Sequence, residues 1–133
     1  MPAQLLRWVV AVVLAGSVGF AIGVLVGASQ GWLQPAVAIT VVNQTGQDLI
    51  DLQILYKSAR SNGSIALPPL SVGERTIARF YLAGEGSYTV RAKLKDGSTL
   101  KEQERYVESG YAMTEVLTAS GSTSTMQYRE SGK

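Results

Sequence analysis

The chain has 133 residues, 46% hydrophobic and 17% charged, with a formal net charge of +2 and neither cysteine nor histidine. That length accommodates one domain and an accessory segment. The missing residue types exclude disulfides, Cys/His zinc sites, thiol nucleophiles, haem attachment, lipoprotein acylation and Ser-His-Asp catalysis. The charge lacks the basic excess of a duplex-binding surface, so no cofactor, metal or nucleic acid is expected.

Residues 1–7 precede an uncharged run from Trp8 to Ala28. About 20 such residues cross a hydrocarbon core of about 30 Å, which predicts a transmembrane helix over 8–32. Trp8 and Trp32 bracket it, separated by about 36 Å of helix, so one indole falls near each headgroup layer. Arg7 lies before the span and the first charge after it is Asp48. The positive-inside rule then predicts a cytoplasmic N-terminus, with Arg7, Trp8 and Trp32 as interface anchors. A cleaved signal sequence is the competing expectation, because small residues at Val26-Gly27-Ala28 and Ala36-Val37-Ala38 suit a peptidase. The apolar run is nevertheless longer than the usual signal core.

Within the span, Ala11, Ala15, Gly19, Gly23, Gly27 and Gly31 recur every fourth position. Residues at i and i+4 are neighbours on a helix surface. In lipid, where apolar burial does not drive association, such a bulk-free strip lets another helix approach closely and gain dispersion contacts. The expected partner is an integral membrane subunit or a second copy.

Gln34-Pro35 ends the helical stretch, leaving a linker over 33–36. From 37 to 118 the apolar spacing alternates between turn residues. Strands are expected over 37–43, 48–56, 65–67, 75–82, 88–94, 98–107 and 111–117, with a hairpin turn at Asp96-Gly97. About seven short strands without a further helix point to two packed antiparallel sheets, an immunoglobulin-like or fibronectin-like β-sandwich. Residues 119–133, rich in Ser, Thr and Gly, are expected to form a flexible tail.

Arg91, Lys93 and Lys95 share one strand face and form a basic strip suited to anionic lipid or an acidic partner. A hairpin at Asp96-Gly97 also puts Glu102 opposite Arg91, which makes cross-strand neutralisation the simpler reading. Glu102 and Glu104 lie about 7 Å apart on one face, but no catalytic loop accompanies them. Asn43-Gln-Thr45 and Asn62-Gly-Ser64 match the glycosylation acceptor pattern. The expected function is therefore non-catalytic: an accessory or assembly subunit of a membrane complex, with its C-terminal domain periplasmic. A self-associating anchored protein, or a cleaved periplasmic binding or immunity-type inhibitor domain, are the alternatives.

Overall fold

The computed structural model describes residues 3–29 and 35–127. It divides into two compact units, Met1–Gln34 and Pro35–Lys133.

The first unit contains one α-helix, α1 (Ala3–Ser29). At about 1.5 Å per residue its 27 residues extend for about 40 Å. Ala3–Gly27 is long and apolar enough to be a candidate membrane span, and its side chains are exposed from Ala3 to Val26. Ser17 donates to the Val13 carbonyl at 2.8 Å, so the lone hydroxyl of the span is satisfied within its own helix.

The second unit is a sandwich of two four-stranded sheets. Its strands are β1 (Val37–Gln44), β2 (Leu49–Ser58), β3 (Asn62–Leu67), β4 (Arg75–Phe80), β5 (Glu85–Leu94), β6 (Glu104–Glu108), β7 (Ala112–Thr118) and β8 (Gly121–Gln127). One sheet has the order β4-β1-β7-β8 and the other β3-β2-β5-β6; they are called here the β1 sheet and the β2 sheet. Alternation drives the assembly. Val37, Ile39 and Val41 on β1, Tyr88, Val90, Ala92 and Leu94 on β5, and Met113 and Leu117 on β7 all point into one core, the arrangement of two half-buried sheets. Tyr56 from the β2 sheet stacks on Phe80 from the β1 sheet with ring centroids 4.3 Å apart. Gly63, opposite Tyr56 on β3, leaves room for that ring, since a Cβ there would meet the Tyr56 hydroxyl at 2.5 Å.

The immunoglobulin arrangement keeps its first two strands in one sheet. Here β1 and β2 lie in opposite sheets, and β1 pairs with β7 in parallel, so neither that strand order nor a wholly antiparallel structure holds. Ile50 is exposed where period-two counting buries it, because the register shifts between Leu49 and Asp51 and Leu49 takes the inward position. The strand expected over 98–107 is formed only from Glu104 onward. Before it, Ser98–Gln103 runs as an arm attached through an isolated Lys93–Thr99 bridge.

The largest correction concerns 119–133. Gly121–Gln127 is not a flexible tail but β8, paired in register with all of β7. On its inward face Ser122 and Ser124 meet a polar part of the interior and Met126, opposite Met113, is the one apolar side chain, so the strand shows no hydrophobic alternation. Residues 128–133 lie outside the described residues.

Candidate functional site

On α1, Ala11, Ala15, Gly19, Gly23 and Gly27 all fall within the helix, while Gly31 and Trp32 lie outside the described residues. A Cβ added at Gly19 or Gly23 would meet nothing within 4 Å, so that stretch of the strip is open. An i, i+4 row does not run parallel to the axis; it is inclined to it by roughly 26°. A helix lying in this groove would therefore cross α1 obliquely, in the right-handed sense of small-residue pairs. Trp8 and Arg7 sit in the first turns, with Trp8 72% exposed.

The basic strip is on the outer face of the β2 sheet, and acidic residues are interleaved with it. Arg91 Nε lies 2.5 Å from Glu102 Oε1, which holds the Glu102 carboxyl below its ordinary range and raises the guanidinium. Lys93 stands opposite Asp51 in the β2–β5 register. Lys57 reaches Glu104 at 2.7 Å and the Ser87 hydroxyl donates to the same carboxylate, lowering the Glu104 pKa. Lys95 belongs to the hairpin beyond β5. Beside it Asp96 accepts from the Ser98 hydroxyl and amide and from Gln47, which pushes its pKa down to about 2. Glu102 and Glu104 border an open hollow of about 490 Å³ floored by Leu55, Ser64 and Thr89. Each carboxylate is bound to a different cation, so they do not form a shared acid–base pair.

The glycosylation-like Asn43 is buried. Its amide donates to Gln47 and Leu70 carbonyls, and its oxygen accepts from the Thr45 amide and hydroxyl. It ties the β1–β2 turn to the connection between β3 and β4, and every hydrogen-bonding position is used inside the fold.

Sequence reasoning missed the most polar part of the interior. Glu115, 1% exposed on β7, accepts from the Tyr88 hydroxyl of β5 at 2.6 Å and lies 3.5 Å from Arg105 Nε of β6. Ser124 of β8 bonds the same Tyr88 hydroxyl, and Arg105 donates to the Ser122 carbonyl. Burial, then the Glu115 hydrogen bond, pushes the Tyr88 phenol well above its ordinary pKa. The cluster joins the two sheets along one side of the sandwich. The signal for it was present: alternation in Met113-Thr-Glu115-Val-Leu117 places Glu115 on the same face as two core side chains.

Comparison with solved structures supports the sandwich. An NMR structure of a protein from Eubacterium rectale aligns with a TM-score of 0.52, covering 73% of this chain and 93% of that one at 11% identity. A likeness at that identity concerns the fold alone. Neither a family model nor a curated protein matches the chain.

Proposed function

We propose that the protein is a single-pass subunit of the cytoplasmic membrane, with its N-terminus in the cytoplasm and the sandwich on the far side. In this reading it acts without catalysis, as an accessory or assembly subunit of a larger membrane complex. The observation that carries the reading is the small-residue row of α1, open at Gly19 and Gly23, on an apolar helix whose side chains are exposed from Ala3 to Val26. A transmembrane helix of another subunit packs there through close backbone approach, and the sandwich contacts the same partner outside the bilayer. Each contact raises the effective concentration of the other.

The test is purification from native membranes in mild detergent with mass spectrometry of the intact assembly. Stoichiometric recovery with a multi-span protein is expected, and Gly23→Leu should lower the associated-to-free ratio about tenfold while the sandwich stays folded. Recovery as a homo-oligomer would assign the row to self-association. A mature N-terminus at Ser29 or Ile39 would replace the subunit reading with a secreted domain.

A further inference from the structure

The outer face of the β1 sheet carries no acidic side chain. Its middle row sets Ile77, Thr40, Thr114 and Thr125 side by side in register across all four strands. The neighbouring rows place alanine and valine on β1 and β7, so the face is flat and uncharged over three strands. Its charge is confined to the edge strand β4, where Arg75, Ile77 and Arg79 point outward and Tyr81 continues the alternation. Neither arginine is in an ion pair among the described residues. Ile77 and Tyr81 are 47% and 64% exposed. Basic, aliphatic and aromatic side chains thus alternate along one open edge, the residue types suited to a headgroup layer.

We infer that this face, led by Arg75 and Arg79, rests on the anionic lipid headgroups of the membrane that holds α1. The inference rests on α1 being retained as an anchor, and it goes beyond the subunit reading by naming lipid as what the β1 sheet meets. Eight peptide steps separate Ser29 from Val37, at most about 28 Å of chain, and β1 is the strand this segment enters. The sandwich is therefore held near the bilayer whatever its orientation, and the electrostatic contribution only has to choose a face. Each basic residue close to an anionic leaflet biases that choice about fivefold, so two give about thirtyfold. The opposite face competes poorly. There Lys57, Arg91 and Lys93 are each matched by an acid, Glu104, Glu102 and Asp51.

The chain has no cysteine, so single labelling sites can be introduced cleanly in the full-length protein. Thr40→Cys and Thr125→Cys report on the β1 face and Thr89→Cys on the β2 face. Each carries an environment-sensitive dye, in nanodiscs of phosphatidylcholine alone or with about one quarter phosphatidylglycerol, at one chain per disc. With phosphatidylglycerol, spin-labelled lipid is expected to quench the Thr40 and Thr125 labels and to leave the Thr89 label unquenched. Arg75→Gln with Arg79→Gln should lower the quenched-to-free ratio about thirtyfold. Incorporation into discs is measured separately: failure to incorporate overturns the anchor reading and this inference with it. Incorporation with equal quenching in both lipid mixtures, or stronger quenching at Thr89, overturns this inference alone. Labels shielded only when two or more chains share a disc would assign the face to a second copy and also overturn it.

Discussion

The two outer faces of the sandwich present a contrast in how charge is used. On the β2 sheet, bases and acids are interleaved in the register, and Arg91–Glu102 and Lys57–Glu104 neutralise one another. On the β1 sheet, threonine, valine and alanine fill the outer face of the central strands, and the arginines stand at one edge in no ion pair among the described residues. A strip of like charges in the sequence is thus a poor guide to surface potential. Arg91, Lys93 and Lys95 look basic only until the partner strand and the following arm fold back beside them. Arg75 and Arg79 look unremarkable until the uncharged outer faces of three strands assemble alongside.

The strongest way to break this contrast is to remove what ties the two sheets together. Arg105→Met leaves Glu115 buried without its cation and should cost about 3 kcal/mol in chemical denaturation. Adding Glu115→Leu to that variant should recover most of the loss, because replacing both ends of a buried ion pair with apolar groups is often close to neutral. A smaller effect is expected at Gly86 on β5, where a Cβ would meet the Lys57 carbonyl oxygen at 2.3 Å. Gly86→Ala should cost about 2 kcal/mol and loosen the β2–β5 ladder, which hydrogen exchange at the end of β2 would report.

Acid sharpens the comparison. The Glu102 and Glu104 carboxyls are held below their ordinary range by Arg91 and Lys57, so the stabilisation from these pairs is complete above the unfolded glutamate pKa and is lost as pH falls through the lowered values. Asp96 follows the same sign and holds its proton off until about pH 2. The β2 face should therefore gain net positive charge between about pH 5 and pH 2, while the β1 face, with no carboxylate, keeps its charge. Carboxyl NMR titration should show Glu102 and Glu104 titrating below an exposed glutamate, and the preference of anionic lipid for the β1 face should fade over the same interval. The smallest effect belongs to Arg91→Gln. Its pair is exposed, and exposed pairs contribute little, so its melting midpoint should move far less than that of Arg105→Met.

Much of the fold was legible in the chain itself. The inward residues of β1, β4 and β5 follow from strict alternation; counting across Asp96-Gly97 brings Glu102 to Arg91, although the Lys93–Thr99 bridge sets the backbone register one residue away from that count. Three features were not legible, each for a local reason. The Leu49/Asp51 register shift turns Ile50 outward, and a shift of one residue leaves no trace in composition. The arm over 98–103 carries strand-like residues, but its backbone bonds to β5 only at Ser98 and Leu100. Strand β8 has no apolar stripe because the interior it covers is itself polar, and a polar inward face looks the same as a disordered segment to any reading based on hydrophobicity.

The sequence by itself determined the apolar helix, its row of small residues, and a β-sandwich core, because these depend on local periodicity: fourfold spacing on a helix and twofold spacing on strands. Only the tertiary structure decided which strands share a sheet, that β1 and β7 run parallel, that Glu115 meets Tyr88 and Arg105, and which face is left without acids. Those outcomes depend on strand order and on pairings between residues far apart in the chain. Alternation says which side of a strand is buried but carries no information about the strand that comes to lie beside it.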